Sequence, residues 1–485
     1  MKDKARFLFA LMLLLFSYSC NEHGRDDFEN TIIHGLRPAL FTGSGEVTFS
    51  LEERMERYNV PAVSIAVIDD MKIRWTKACG VKRKGDTAGI DERTLFQSAS
   101  VSKPVAAAGA MTLAYRGILP PDAEINTLLK GWQLPYDDFM EGVTVCRILS
   151  HSAGLGVGGF GGYGADDTLP GLMEIINGTP PANSPAVRLF SEPGNSFSYS
   201  GGGYMIMQKA MEDVTGRTFS SIMQENIFDP LHMENSHYAP LTEEQKKNAA
   251  YGHSSGETIP GYGPVHVESA AGGLWTTPTD LSMLMIELMN AWQGNSRKIL
   301  DSATVRDMLT PRFWDYGLGF KVMGEGKYFR FSHGGATEGW HAHFMAFPER
   351  GEGVVIMTNG MNGWMLWTEI ERAVAHALGW PNIRAEKIDP YALPDDIYND
   401  YPGEYSMGGW VVRIDKDPSF LTFSGAGLTW SLIPSAVDTF EIADIEGQVF
   451  FRRDPNDSVT GLHLWFGEPD WSPYRAWDFE KLAGN

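Results

Sequence analysis

Cysteine is scarce in this chain of 485 residues, which contains only three. Cys20 ends an N-terminal apolar run, so Cys79 and Cys146 alone remain for the folded body, where we expect small buried residues. Two cysteines do not build the disulfide framework of small secreted domains. Cys-x-x-Cys and His-Glu-x-x-His spacings are also absent, and His341 and His343, on one face of a predicted strand, have no third ligand nearby. The sequence therefore predicts no metal site, and nothing in it indicates a cofactor.

Positive charge is also in short supply. Lysine and arginine total 40 against 61 aspartate and glutamate residues, which gives a formal net charge of −21, and the body of the chain has no basic cluster. Such a chain repels phosphate backbones and anionic lipid surfaces, so nucleic acid is excluded as a partner class. The expected partner is a small-molecule or peptide substrate. Nothing in the sequence indicates the oligomeric state.

The conspicuous apolar run, Phe7–Phe16, is too short to cross a bilayer, which takes about 20 residues. Three basic residues within the first six positions precede it, which is the order of a secretory signal, and we place that signal at residues 1–20. Small residues precede Cys20 as in a bacterial lipobox, although Ser17 stands where leucine is usual. We expect export to the cell envelope as a lipoprotein that faces the periplasm or the cell exterior and touches the membrane only through lipid on Cys20. Plain secretion is the alternative.

Length argues for two domains, because 485 residues exceed what one hydrophobic core usually organises. We expect a linker at 21–45, a main domain at 46–383, a charged, proline-containing linker at 384–396 and a second domain at 397–485. Apolar runs place strands at both ends of the main domain, with helices and Gly- and Pro-rich loops between them, which is an α/β (α+β) arrangement. Short strands separated by turn residues predict a small all-β barrel or sandwich for the second domain.

The start of the main domain carries clear local patterns. Leu51–Tyr58 has the pattern of a helix. Ala62–Val67 and Ile73–Cys79 have the pattern of strands joined at Asp69-Asp70. We therefore expect a hairpin at the start of the sheet.

The strongest chemical signal is Phe96–Pro104, which leads into the Ala-rich stretch Val105–Arg116. Proline clashes inside a helix, so Pro104 belongs to the first turn and Ser100 lies at the N-terminus of the helix. Free amide hydrogens and the positive end of the helix dipole there favour a developing oxyanion. Lys103, three residues on, lies on the same face and takes the Ser100 proton if burial keeps its amine neutral. Taken alone, the pattern also fits a capping serine followed by a solvated lysine.

Two glycine-rich segments favour the catalytic interpretation. Tyr199 follows the turn Pro193-Gly194 and leads into Ser200-Gly201-Gly202-Gly203. Glycines let the backbone approach a ligand, and a tyrosine beside an amine can relay protons. A core aromatic is the alternative for Tyr199. His333-Gly334-Gly335 follows a predicted strand and frees the backbone to line a site, with a turn and an exposed histidine as the alternative.

These segments, in this order, resemble the serine β-lactamase and penicillin-binding-protein superfamily, specifically its class C-like branch of esterases, peptidases and β-lactamases. Val143–Leu155 and Ala271–Thr277 also resemble that branch, so the resemblance covers about residues 46 to 380. It implies an antiparallel sheet flanked by helices. The C-terminal barrel resembles accessory domains found after such catalytic domains.

The resemblance implies roles for the residues that match its motifs. Ser100 would be acylated, Lys103 would be its base partner, and Tyr199 would relay protons to the leaving group and later from water. The backbone N–H groups of Ser100 and Ala336 would form the oxyanion hole. His333-Gly334-Gly335 would bind the substrate.

Two positions depart from the motifs of that superfamily. Gly201 replaces the Asn of Tyr-x-Asn and removes an amide that can hold a substrate's carbonyl side chain. His333 begins His-Gly-Gly where Lys-Thr-Gly is common, so a side chain that is mostly uncharged at neutral pH replaces a fixed cation. We therefore expect a serine hydrolase of the esterase or peptidase type that acts on an amide or ester carbonyl. A β-lactamase or D,D-peptidase is the alternative, and a penicillin-binding sensor with slow turnover is a second one.

Two other segments are weaker candidates for catalysis. Gly252-His253-Ser254-Ser255-Gly256 formally matches the Gly-x-Ser-x-Gly nucleophile elbow. An elbow follows a buried strand, and Glu243–Asn248 is polar, so we expect a loop. His151 is a candidate base, but its place at a helix end favours ordering of the following loop through hydrogen bonds.

Overall fold

The structure of the protein, a computed structural model, describes residues 27–43, 45–140, 142–381, 383–417, 420–425, 428–468 and 472–482. The predicted signal peptide and Cys20 lie outside these residues. The described chain divides into two compact units. The sheet unit is Tyr58–Trp367 with the described part of Glu468–Pro473, and the barrel unit contains the described residues up to Arg57, Thr368–Gly467 and the described residues from Tyr474.

A six-stranded antiparallel sheet organises the sheet unit. Its strands in chain order are β1 Ala62–Asp69, β2 Lys72–Gly80, β3 Lys321–Met323, β4 Arg330–Thr337, β5 Trp340–Phe347 and β6 Glu352–Thr358. They lie in the sheet in the order β2-β1-β6-β5-β4-β3. Strands from both ends of the unit therefore share one sheet, and the α+β prediction is confirmed. The continuous apolar run of β1 is buried from Ala62 to Ile68, as expected for a strand covered on both faces.

The β1–β2 hairpin turns one residue later than predicted. Asp70 and Met71 form its turn, with φ of +50° and +59°. Positive φ at both central residues is the signature of a type I′ turn, whose twist matches that of the flanking strands. The turn therefore uses the second aspartate of Asp69-Asp70 rather than the pair.

Both units contain helices. The helices used below are α1 Leu51–Tyr58, α2 Ser102–Tyr115, α3 Val145–Leu149, α4 Gly201–Thr215, α5 Pro278–Gln293 and α6 Gly363–Leu378. Further helices span Leu172–Asn177, Phe219–Met223, Asp229–Leu231, Glu243–Lys246, Ser269–Gly272, Ser302–Met308 and Asp395–Tyr398. Helix α1 has the predicted bounds. In α2, every residue from Ser102 to Leu113 is buried, because this Ala-rich helix is enclosed on all sides.

Several very short strands complete the described elements. Phe96–Gln97, Leu274–Thr276 and His237–Tyr238 form a three-stranded sheet, and His253–Ser254 pairs with Glu257–Thr258. The first of these strands leads directly into the turn that carries Ser100.

A closed eight-stranded barrel forms most of the barrel unit and confirms the predicted small all-β domain. Its strands are β7 Gly403–Met407, β8 Trp410–Lys416, β9 Leu421–Gly425, β10 Leu428–Ala436, β11 Thr439–Ile442, β12 Gly447–Arg453, β13 Val459–Glu468 and β14 Ser472–Lys481. Buried and half-buried residues alternate at the start of strand β9, as expected where every second side chain points into the barrel. Aromatic residues such as Tyr405 and Phe451 contribute to that core.

Within the barrel unit, one buried ion cluster joins distant parts of the chain. Arg54 in α1 donates two hydrogen bonds to the Glu369 carboxylate, one of them at 2.6 Å from Nε, and its Nη2 lies 3.1 Å from Asp444 Oδ1. Arg57 reaches the same Asp444 oxygen at 3.3 Å. A buried charge is tolerated when it is paired and hydrogen-bonded, and each of these groups meets that condition.

The predicted linkers contain regular structure. A helical stretch covers residues 27–33, and Leu40–Phe41 pairs in parallel with Glu386–Lys387. The domain bounds proposed from sequence stay predictions. Cys79 and Cys146 are half-buried thiols, whereas buried residues were expected. Within the described ranges, none of the helices has both the length and the apolarity needed to cross a bilayer.

Candidate active site

Ser100 lies in a tight turn at the start of the central helix. Ala99–Val101 forms a 3₁₀ turn that runs into α2, and Pro104 occupies the first helical turn as predicted. Ala99 has a φ of +46°, an uncommon conformation for a residue with a side chain, of the kind found where a site stores backbone strain. The Ser102 hydroxyl donates to the Ala99 carbonyl at 2.6 Å and fixes this turn. Ser100 itself is half-buried, so its hydroxyl is not enclosed by the helix.

Lys103 is buried against the nucleophile. Its Nζ lies 3.0 Å from Ser100 Oγ and donates to the Ala271 carbonyl at 2.8 Å, and the residue is 2% exposed. Burial lowers the pKa of the Lys103 amine to about 7, because the charged form loses its hydration. A neutral amine has a lone pair. Lys103 can therefore donate one N–H to the Ala271 carbonyl and still accept a proton from Ser100. The capping-serine and solvated-lysine alternative is therefore wrong for Lys103.

Tyr199 lies beside this amine. Lys103 Nζ is 4.9 Å from the centroid of the Tyr199 ring. The Tyr199 hydroxyl is buried and has no hydrogen-bond partner of ordinary geometry among the described residues. Burial raises the pKa of the phenol above its usual range, and the Ser100 side chain offsets part of that increase. Tyr199 precedes α4, whose N-cap Ser200 accepts from the Gly203 amide at 2.9 Å, so the cap fixes the chain next to the tyrosine.

Strand β4 passes directly against the nucleophile turn. A Cβ atom on Gly335 would lie 2.1 Å from the Ser98 carbonyl oxygen and 3.2 Å from the Ser100 amide nitrogen. No side chain fits there, which is the close backbone approach that glycine in a strand permits. Ala336 is the next residue of β4 and pairs with His341 of β5. The backbone of β4, the strand that contains Ala336, thus lies next to Ser100. The contribution of the Ala336 amide to the oxyanion hole stays a prediction.

His333 is buried in β4 rather than exposed at a turn. Its Nδ1 lies 2.6 Å from the Gly334 carbonyl oxygen and its Nε2 lies 2.9 Å from the Tyr316 hydroxyl. A carbonyl oxygen only accepts, so Nδ1 carries a proton and a neutral ring accepts from Tyr316 through Nε2. The ring is 1% exposed. Its role in substrate binding, with that of Gly334 and Gly335, stays a prediction.

His151 orders a loop through hydrogen bonds, but that loop is the distant segment around Tyr199 and not the one that directly follows His151. Its carbonyl oxygen accepts from the Ser198 amide at 2.7 Å, and its Nδ1 accepts from the Ser200 amide at 3.0 Å. Burial, with Lys103 and His333 nearby, holds the pKa of the His151 imidazole well below its ordinary value. The ring is therefore neutral, and its Nδ1 is free to accept.

The weaker serine candidate is not a nucleophile elbow. Ser255 and Gly256, with φ of +50° and +81°, form the turn of the short hairpin between His253–Ser254 and Glu257–Thr258. The His253 Nε2 accepts from the Lys84 amide and its Nδ1 contacts the Asn359 carbonyl, so both ring nitrogens are used to hold the local structure. The loop prediction is confirmed.

Two groups that contribute to the site were not predicted from the sequence. The Ala271 carbonyl holds Lys103, and the Tyr316 hydroxyl holds His333. Ala271 belongs to the segment Ala271–Thr277, which resembles the family. The sequence therefore pointed to this segment but did not predict that the Ala271 carbonyl binds Lys103. Tyr316 had no signal. Among the described residues, no cluster of three or more His, Cys, Asp or Glu side chains is arranged to hold a metal ion.

Comparison with known proteins agrees with this geometry. The sequence matches the family model described as Beta-lactamase over residues 50–378. A putative D-alanyl-D-alanine carboxypeptidase of Escherichia coli (strain K12) is 26% identical over 313 residues, which cover 54% of this chain and 68% of the relative. An unguisins hydrolase of Aspergillus campestris is 27% identical over 232 residues, which cover 45% of this chain and 41% of the relative.

Solved structures share the fold. The octameric penicillin-binding protein homologue from Pyrococcus abyssi superposes with a TM-score of 0.61 at 21% identity, covering 89% of this chain and 98% of that one. The D-amino acid amidase from Ochrobactrum anthropi SV3 has a TM-score of 0.55 at 20% identity, covering 68% of this chain and 97% of that one.

Proposed function

The chain belongs to the Beta-lactamase family and is a serine hydrolase, and we propose that it forms an acyl-enzyme on Ser100 and cleaves uncharged esters or amides in preference to β-lactams. The observation that carries this proposal is the 3.0 Å contact between Lys103 Nζ and Ser100 Oγ with the amine buried. A lysine kept neutral by burial beside a serine hydroxyl is a general base next to its nucleophile.

The reaction has two halves. Ser100 Oγ attacks the substrate carbonyl carbon while its proton moves to Lys103 Nζ, and the resulting oxyanion accepts hydrogen bonds from the amides of Ser100 and Ala336. Collapse of this intermediate breaks the C–N or C–O bond, and the leaving group takes a proton through Tyr199. Water then attacks the acyl carbonyl, its proton passes to the same groups, and Ser100 is regenerated with release of the acid.

The preference for uncharged substrates follows from two positions. At 333, a buried imidazole bonded to Tyr316 replaces a lysine ammonium that would attract a carboxylate. At 201, a Cβ on the glycine would lie 3.1 Å from Phe160 Cε2 and 3.2 Å from the Gly158 carbonyl oxygen, so the local packing leaves an asparagine little room. Both features remove groups that would hold a β-lactam.

Labelling and a substrate panel test the proposal. Purified protein and Ser100→Ala are treated with a fluorescent fluorophosphonate and assayed with p-nitrophenyl esters, D-amino-acid p-nitroanilides and nitrocefin. We expect labelling and turnover of a neutral ester or amide by the wild type only, with nearly equal melting temperatures, because this serine contributes chemistry more than packing. Residual turnover by Ser100→Ala would rule out Ser100 as the nucleophile.

The same panel separates the alternatives. If nitrocefin is the best substrate, the protein is a β-lactamase and the preference proposed here is wrong. If a fluorescent penicillin labels Ser100 persistently without product, the protein is a sensor rather than a turnover enzyme.

We also propose that the enzyme is exported and anchored in the cell envelope by lipid on Cys20. The support is the order of basic residues, apolar run and cysteine in the first 20 positions. The Cys20→Ala experiment given in the Discussion tests it.

A further inference from the structure

His151 occupies a helix terminus that ordinarily takes glycine. It follows the C-cap Ser150 of α3, its amide donates to the Ile148 carbonyl at 3.1 Å, and the Ser152 amide donates to the Arg147 carbonyl at 2.8 Å. This pair of hydrogen bonds is the Schellman motif, whose residue after the cap adopts left-handed backbone and is usually glycine. His151 has a φ of +55° there. Left-handed backbone is unfavourable for a residue with a Cβ, so the contacts of the imidazole must offset this cost.

The hydrogen bonds of His151 hold the chain on both sides of Tyr199. The preceding residue, Ser198, donates its amide to the His151 carbonyl, and the following residue, Ser200, donates its amide to His151 Nδ1. The imidazole also lies against the Tyr199 ring, with 4.2 Å between ring centroids. His151 thus contacts the residue before the tyrosine, the residue after it and the ring itself.

Tyr199 needs this support, because its buried hydroxyl has no hydrogen-bond partner of ordinary geometry among the described residues, although the Ser100 side chain lies close enough to affect its pKa. The position of its oxygen relative to Ser100 and Lys103 therefore depends on the backbone and on the packing of the ring. A displacement of about 1 Å in a reacting group is enough to lower a rate by about a hundredfold.

We propose that His151 is a positioning residue for Tyr199: it fixes the tyrosine by accepting the Ser198 and Ser200 amides and packing against the ring. This inference rests on the proton-relay role of Tyr199 in the proposed function. His151 itself does not exchange a proton with substrate, because Nδ1 is occupied by Ser200 and the Nε2–H, which has no partner among the described residues, is buried with the rest of the ring, which is 1% exposed.

Two substitutions of similar size test the Nδ1 contact. An asparagine at 151 presents its carboxamide oxygen near the place of Nδ1 and tolerates left-handed backbone, whereas the oxygen of a glutamine lies one bond further out. We expect His151→Asn to retain the larger part of kcat. We expect His151→Gln and His151→Ala to lower kcat by ten- to a hundredfold with less than a twofold change in KM for the best neutral ester.

A double-mutant cycle with Tyr199→Phe shows whether the two residues act as a unit. If they do, His151→Ala causes less than a threefold further loss of kcat in the Tyr199→Phe background. The matched control is His253→Ala, which removes a buried, doubly hydrogen-bonded histidine outside the site and is expected to lower the melting temperature without lowering kcat.

The outcomes separate this inference from the function on which it rests. If Tyr199→Phe keeps full activity, the relay role of Tyr199 in the proposed reaction is wrong, and the positioning role of His151 is wrong with it, whereas the Ser100 nucleophile is tested separately by Ser100→Ala. Two outcomes, with Tyr199→Phe impaired, would show that the positioning role alone is wrong. In one, His151→Asn and His151→Gln lose kcat equally. In the other, the fold-loss of kcat in the double mutant equals the product of the losses in His151→Ala and Tyr199→Phe. If His151→Ala does not fold, the Asn and Gln pair still decides between these results.

Discussion

Gly335 and Ser98 approach so closely that a Cβ atom on the glycine would lie 2.1 Å from the serine carbonyl oxygen. Gly335→Ala must therefore push β4 away from the turn that carries Ser100. We expect kcat to fall by about a hundredfold or more, the cost of losing one oxyanion-hole donor, and stability to fall by about 1–3 kcal/mol. Ester hydrolysis and thermal unfolding measure both. Gly89→Ala is the control, because its nearest neighbour would be 3.7 Å away, and equal activity of the two variants would contradict the expectation.

The acidity of Lys103 predicts how activity depends on pH. Only the neutral amine accepts the Ser100 proton, and burial lowers its pKa to about 7. We therefore expect kcat/KM for a neutral ester to rise with pH, to have its midpoint near 7 and to level off above it. Lys103→Arg, whose side chain stays protonated, should be inactive at every pH. A rate that falls as the pH rises through 7 would mean that the charged form of Lys103 is the active one.

The same buried amine lowers stability. An unfolded lysine binds a proton up to about pH 10.4, whereas folded Lys103 releases it near 7, so the unfolded state binds more protons between these values. Stability relative to Lys103→Met should therefore rise with pH by about 1.4 kcal/mol per pH unit in that window and be constant below it. Urea unfolding at pH 7, 8 and 9 measures this difference. Parallel stabilities of the two proteins across the window would show that Lys103 stays protonated in the fold.

His333 predicts a change of substrate preference. With the imidazole replaced by a permanent cation, His333→Lys should lower KM for nitrocefin, which carries a carboxylate, and leave KM for a neutral ester nearly unchanged. A tenfold effect corresponds to about 1.4 kcal/mol of added attraction. Tyr316→Phe is the control, because it removes the partner of His333 without adding charge. If nitrocefin is as good a substrate as the best ester and His333→Lys changes neither, position 333 does not face the substrate.

Cys20 predicts where the enzyme is found. Lipid chains anchor a protein stably, and a cleaved signal leaves nothing in the membrane. Cys20→Ala should therefore move the protein from the membrane fraction to the soluble exported fraction, as measured by fractionation and immunoblotting. Unchanged fractionation would favour plain secretion.

Local patterns were enough to predict the elements that carry the site. Proline is tolerated only in the first turn of a helix, so Pro104 predicted that Ser100 lies at the helix start. The continuous apolar run of β1 predicted a strand that is covered on both faces. The environment of the side chains was not predictable in the same way. The pKa of Lys103 is lowered because the fold buries its amine, which donates to a carbonyl 168 residues away, and His333 is held by Tyr316 from another segment, so both environments depend on the tertiary fold.

The Arg54 cluster sets an order for folding. Its partners lie 315 and 390 residues later in the chain, at Glu369 and Asp444. At a synthesis rate of about 5–20 residues per second, roughly 20 to 80 seconds separate Arg54 from Asp444 on the ribosome. During that interval the guanidinium stays in water, because burial without its carboxylates would leave a charge unpaired. Helix α1 is thus synthesised early, but its ion cluster can be completed only after Asp444 has been made, and a chain cut short before Asp444 lacks part of that pairing.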